Sequence, residues 1–127
     1  MDSLELEATQ ETPKIILDKH KEIIEIAGIS VPEDVLKFYE PILKWLDEYI
    51  LNPNEKTNVV FKLEYFNTAS SKLILDVLFK FKQLKEKGDD VLISWYHEED
   101  DTDMVLAAQM YAELTGLEFK SIITEFD

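Results

Sequence analysis

The sequence predicts a single α/β domain: a mixed, mostly parallel sheet opening with an N-terminal hairpin, helices packed on it, in the order ββαβαβαβ. Three observations predict it. Two β-rich runs, Lys14 to Asp18 and Glu22 to Gly28, are separated only by the polar Lys19-His20-Lys21, which is a hairpin signal. Beyond them, strand-like apolar runs alternate with longer segments of helical periodicity, and that alternation demands right-handed crossovers between parallel strands. Finally, 127 residues that are 46% hydrophobic can cover one sheet with helices, and no repeat, low-complexity stretch or linker suggests a second domain.

Taken in order, residues 1–11 form an acidic tail or a short edge strand, because Leu4 and Leu6 alternate with Glu5 and Glu7; the domain proper is 12–127. The hairpin makes the first two core strands antiparallel neighbours. Pro32-Glu33-Asp34 then opens a helix, with Ser30 or Val31 just before it, Pro suited to the first turn and two carboxylates complementing the positive end of the dipole. Val35, Phe38, Tyr39, Ile42, Trp45, Leu46, Tyr49 and Ile50 recur at helical spacing as its buried face. Pro41 predicts a local kink, and Asn52-Pro53-Asn54 stops the helix. Val59 to Phe66 reads as a strand. Thr68 to Lys87 is the second helix, with its apolar stripe on Leu73, Ile74, Val77, Leu78, Phe81 and Leu84, and Gly88 ends it. Val91 to Tyr96 is a nearly continuous apolar strand of the kind covered on both faces. The third helix, Asp103 to Thr115, carries Val105, Leu106, Ala108 or Gln109, Met110 and Leu114 and stops at Gly116, before a closing strand over 117–125.

Composition excludes several functions. With 13 basic against 27 acidic residues the net charge is −14, which disfavours nucleic acid and anionic lipid and suits a partner with a basic surface. The one basic run, Lys80, Lys82, Lys85 and Lys87, is interleaved with core positions. No cysteine is present, so thiol chemistry, disulfides and cysteine metal sites are excluded. No run reaches the roughly 18 to 20 apolar residues of a membrane span, and Met1-Asp2-Ser3-Leu4-Glu5 lacks a basic leader region; the expected location is the cytoplasm. Catalysis finds no scaffold. The histidines, His20 and His97, accompany no nucleophile motif, a Thr68–His97 pair being only two thirds of a triad, and the three glycines are isolated rather than grouped in a phosphate loop. The expectation is a non-enzyme without cofactor.

Two turns carry the chemistry. Asn67, Thr68, Ser70 and Ser71 fall where a helix leaves its first N–H groups unpaired and its dipole turns positive, so a phosphoryl group on a hydroxyl there would be stabilised. The same residues are also the preferred caps, and structural capping is the favoured explanation of them in the absence of other information. Lys72 sits one turn further on, four residues from Thr68, either as a counter-charge or as a solvated lysine. The second turn, His97 to Asp103, holds Glu98, Glu99, Asp100, Asp101 and Asp103. Alternate carboxylates can bind a hard cation, but no glycine allows the loop to fold around one, so this reads as an acidic docking rim that also caps the next helix, with no metal site. Both turns follow parallel strands and should lie at one edge of the sheet. Tyr65 and Trp95 read as core, Tyr39 and Tyr96 as partly exposed.

The runs YFNTASSKLI (65–74), GISVPEDVLKFYEPILKWLDEY (28–49) and ISWYHEEDDTDM (93–104) resemble the SiaC family of bacterial regulatory phosphoproteins, which are STAS-like, akin to anti-sigma-factor antagonists. The resemblance extends from about Thr12 to the C-terminus and is most specific in the N-T-x-S-S-K segment, where Ala69 stands in place of another small residue. It implies a STAS-like domain acting in cyclic di-GMP signalling and biofilm regulation. A Ser/Thr kinase would phosphorylate Thr68, a metal-dependent Ser/Thr phosphatase would reverse this, and the unphosphorylated form would bind and activate a diguanylate cyclase. Asn67, Ser70, Ser71 and Lys72 would support the phosphosite. The alternatives are a constitutive acidic adaptor and a metal or small-ligand binding domain using the 97–103 loop.

Overall fold

The computed structural model describes residues 1–126; Asp127, the last residue of the expected domain, lies outside the described residues. The chain forms β1 (Leu4–Leu6), β2 (Lys14–Asp18), β3 (Ile23–Ser30), α1 (Val35–Tyr49), β4 (Lys56–Phe66), α2 (Thr68–Glu86), β5 (Asp90–His97), α3 (Thr102–Thr115) and β6 (Glu118–Ile123). The strands make one sheet in chain order, with β1–β2 and β2–β3 antiparallel and every later pair parallel. The mixed, mostly parallel α/β fold read from the sequence is therefore the one observed, and the first strand is a short edge strand on β2.

Neighbouring residues in register share a face of the sheet, so Ile24, Val59 and Ile93 form one buried row and Ile26, Phe61 and Trp95 the next. Right-handed crossovers between strands laid down in one direction put all three helices over those rows. Tyr39, Ile42, Trp45, Leu46 and Tyr49 of α1, and the whole stripe expected for α2, are buried against them. Among the described residues the opposite face has no helix. Val60, Lys62, Leu92 and Tyr96 are only partly buried there, and the face is tied by Glu25 to Lys14 at 3.1 Å and to Lys62 at 3.7 Å, with the Lys62 ammonium 4.9 Å from the Tyr96 ring centre. β5 is thus covered on one face, not two; a short continuous apolar run does not by itself distinguish the two cases.

Other departures have local causes. Pro32 and Glu33 precede α1, because Asp34 takes the cap and accepts from the Lys37 N–H at 3.1 Å. Pro41 lies inside α1 without ending it. In α3 the buried positions are Met104, Ala108, Tyr111 and Thr115, leaving Leu106, Met110 and Leu114 exposed, so that of the stripe read from the sequence only Ala108 is buried. The helix carries one apolar row at fourfold spacing and another at alternating four- and threefold spacing, and the second, which bears Tyr111, is the one that meets Trp95, ring centres 5.8 Å apart. The basic run on α2 fastens that helix to its neighbours: Lys80 pairs with Asp47 at 2.6 Å, Lys85 donates to the Gly116 carbonyl and Lys87 to the Ile50 carbonyl at 3.3 Å.

The pairing of β3 with β4 slips once. Gly28 faces Leu63 but Ile29 faces Tyr65, so Glu64 is an extra residue on the β4 side, and Gly28 opposite it has φ +117°. An extra residue reverses the side-chain alternation beyond it. Val59, Phe61 and Leu63 point into the core, but then Phe66 turns inward, its ring 6.4 Å from Trp95, and Tyr65 is 57% exposed. Tyr65 is therefore a surface residue, contrary to its reading as core, while Tyr39, read as partly exposed, is fully buried. Among the described residues no helix is long and apolar enough to cross a membrane.

Candidate functional site

β3 and β4 end side by side, Ser30 against Phe66, whereas the pairing of β5 with β4 stops at Trp95 against Phe61. β5 ends two residues later and β4 five residues later. Both turns lie at the same edge, as expected, but the Asn67 turn stands about three residues, roughly 10 Å, beyond the His97 turn.

The Asn67 turn divides its hydroxyls sharply. Asn67, in extended backbone conformation, is the cap of α2; its side-chain oxygen accepts from the Ser70 N–H at 2.9 Å, and its own N–H donates to the Ser30 carbonyl at 3.2 Å. Ser70 is fully buried. Its Oγ donates to the Ser30 carbonyl at 2.9 Å and accepts from Ser30 Oγ at 2.9 Å, and Ser30 Oγ lies 2.7 Å from Tyr39 Oη. Burial pushes the Tyr39 phenol up to about 12, against the opposing effect of its bond to Ser30. Ser71 Oγ donates to the Thr68 carbonyl at 2.8 Å, and the Ser71 carbonyl accepts from Tyr111 Oη at 2.8 Å. Burial raises the Tyr111 phenol too, the bond to Ser71 opposing and the nearby Tyr39 adding to the rise. Thr68 is the remaining hydroxyl: it is the first residue of α2, exposed, and makes no side-chain hydrogen bond among the described residues. The helix supplies no carbonyl for the Thr68 and Ala69 N–H groups, so both are open at the positive end of the dipole. Lys72, exposed, stands one turn on.

The acidic loop does not form one rim. Asp101 caps α3, accepting from the Met104 N–H at 3.1 Å. Glu98 instead accepts from the Phe126 N–H at 3.1 Å, and together with Glu99 and Asp100 borders a depression beside Ile123 to Phe126. Asp101 and Asp103 face the other way, lining a cavity of about 220 Å³ with Glu64, Tyr65, Phe66, Met104 and Ala107. His97 is buried, its Nδ1 2.7 Å from the Glu98 carbonyl, and does not hydrogen-bond Thr68. Among the described residues no three His, Asp or Glu side chains converge as metal ligands. Tyr65, the surface aromatic of this end of the sheet, was missed by sequence reasoning because strict alternation buries it; the strand's irregularity leaves no local signal.

A sequence model described as SiaC family regulatory phosphoprotein matches residues 6–124. An uncharacterised protein of Pseudomonas aeruginosa strain UCBPP-PA14 is 23% identical over 113 residues, covering 89% of this chain and 90% of that protein. Among solved structures, apo-SiaC from Pseudomonas aeruginosa superposes with a TM-score of 0.86 at 23% identity, over 95% of this chain and 98% of that one. The crystal structure of diguanylate cyclase SiaD in complex with its activator SiaC, from the same organism, contains a chain that superposes with a TM-score of 0.88 at 21% identity, over 95% and 99% of the two chains.

Proposed function

The chain belongs to the SiaC family of regulatory phosphoproteins, and from that premise we propose that it is a non-catalytic partner switch controlled by reversible phosphorylation of Thr68. In its unphosphorylated form it binds and activates a diguanylate cyclase, as the SiaC of the solved complex is named the activator of SiaD. A Ser/Thr kinase adds the phosphate and a metal-dependent phosphatase removes it. The observation that carries this reading is the partition of hydroxyls at the start of α2: Ser70 is buried in a hydrogen-bonded network and Ser71 bonds its own helix, while Thr68 alone is exposed and unengaged.

The physics of the switch follows from position. A phosphate on Thr68 brings about −1.5 to −2 charges to the open N–H groups of α2, with Lys72 within reach as counter-charge. It thereby occupies a positive feature of this edge that an acidic group of the partner would use, and adds like charge and a bound hydration shell to a surface that must be desolvated on contact. The fold tolerates the change and the interface does not. Asn67, Ser70 and Ser71 hold the turn; Asp101 and Asp103 belong to the contact surface.

Phosphosite mapping by mass spectrometry, on protein from its native host, tests the acceptor. Phosphate is expected on Thr68, with Thr68→Ala spared by the cognate kinase and held in the cyclase-binding state. Phosphate on Ser71 instead, or stoichiometric Thr68 phosphorylation that leaves cyclase affinity unchanged, would replace the switch by a constitutive acidic adaptor.

A further inference from the structure

We propose that the outer face of α3 is the docking surface for an amphipathic helix of the partner, whose apolar row lies on Leu106, Met110 and Leu114 and whose Lys and Arg flank meets Asp101 and Asp103. This rests on the functional reading above and deepens it.

Leu106, Met110 and Leu114 are 56%, 47% and 49% exposed. Single exposed apolar side chains are ordinary on a protein surface. These three recur every four residues and so form one row along a 14-residue helix. The spacing puts them on the flank that also carries Asp103 and Ala107, and those two residues line the cavity reaching Tyr65 at the end of β4. Row and cavity thus adjoin along the Asp103 and Ala107 flank, with the 57% exposed Tyr65 at the far end and Thr68 three residues further along the chain.

A row at fourfold spacing is a ridge, and its natural complement is the groove of a second helix. Charge selects which helix. Asp101 and Asp103 rim the cavity, and the chain as a whole carries −14, so a basic flank is attracted and steered in, while a second copy of this chain would set −14 against −14. Where the same partner helix reaches the start of α2, an acidic residue would meet the open N–H groups and Lys72. Phosphorylation of Thr68 takes those groups away.

The test uses the full chain and the diguanylate cyclase of the same organism. The triple variant Leu106→Ser, Met110→Ser, Leu114→Ser should lose about 30-fold or more in affinity with an unchanged urea midpoint. The control Leu51→Ser, on an exposed residue after α1, should bind as wild type, and Asp103→Lys should weaken binding about 5-fold and flatten its salt dependence. If the triple variant binds the cyclase normally and Thr68 phosphorylation still releases it, the docking surface is refuted and the switch stands. If the wild type does not bind the cyclase, the switch fails, and a second probe decides the surface: two 18-residue amphipathic helical peptides, one Lys-flanked and one Glu-flanked, followed by methyl NMR. Shifts at Leu106, Met110 and Leu114 with the Lys-flanked peptide alone support the surface; shifts with neither overturn it. A dimer in sedimentation that the triple variant abolishes would assign the face to self-association and overturn it as well.

Discussion

Replacing Ser70 by Ala should cost far more stability than replacing Thr68, although the two hydroxyls are two residues apart. Ser70 Oγ sits with no exposure between two groups of Ser30. The Ser30 carbonyl keeps a donor, the Asn67 N–H, but Ser30 Oγ loses its acceptor. The Ser30–Tyr39 pair can reorient, yet in either arrangement one buried O–H is left unpaired, which costs about 1–3 kcal/mol, and the lost bond itself adds about 1. The sum is about 2–4 kcal/mol. Thr68→Ala removes an exposed hydroxyl with no bond, and the cap of α2 is Asn67 rather than Thr68, so its cost stays within about 0.5 kcal/mol. Urea unfolding followed by circular dichroism reads both values at a common m, and for a chain of this size the Ser70 variant should melt about 8–16 °C lower. A Ser70→Ala variant within 0.5 kcal/mol of wild type, or a Thr68→Ala variant equally destabilised, would refute the division of the turn into a buried anchor and a free acceptor.

Alkaline titration should reveal the raised phenols of Tyr39 and Tyr111. The folded protein keeps the Tyr39 proton up to about 12, while the unfolded chain releases it near 10; the stabilisation is therefore intact below pH about 10 and is lost as pH rises toward about 12. Absorbance at 295 nm should show the Tyr39 and Tyr111 phenols ionising late, and their release near pH 10, the ordinary value for a phenol, would contradict their burial. Glu22, at φ +58° in the hairpin turn, occupies the left-handed region at a cost of about 1–2 kcal/mol, so Glu22→Gly should raise stability by about 0.5 kcal/mol after the entropy of glycine is counted; a lower urea midpoint would show the side chain is needed. Gly28→Ala should destabilise by about 1–3 kcal/mol, not through crowding, since a Cβ would lie 3.6 Å from Pro13 Cα, but through its φ of +117°. An unchanged melting temperature would mean the backbone relaxes freely there.

Features set by neighbours in the chain could be read from the sequence, and features set by distant partners could not. The faces of α1 and α2 are long enough for their periodicity to dominate, and the cap chemistry of Asn67 to Ser71 acts within four residues, so the helix start and the exposed Thr68 were both legible. The burial of Ser70 depends on Ser30 and Tyr39, 40 and 31 positions away in the chain, and the inward row of α3 on its contact with Trp95; neither leaves a local trace. The acidic loop looked like one rim because its residues are consecutive, but Asp101 is turned by its cap and Glu98 by the Phe126 N–H.

The extra residue at Glu64 behaves as a frameshift in the inside–outside reading of β4. Deleting it would place Tyr65 directly after Leu63, with Ile29 still opposite Tyr65, so strict alternation would return with Tyr65 still outward and Phe66 still against Trp95; drawing residue 64 into the ladder instead would carry Tyr65 into the core and swing Phe66 out. Exchanging its exposed side chain, as in Glu64→Ala, alters none of this. The position is therefore indifferent to spelling, and what it must not do is join the ladder: the Tyr65 and Thr68 face exists while Ile29 is paired with Tyr65, and is lost if residue 64 takes that place.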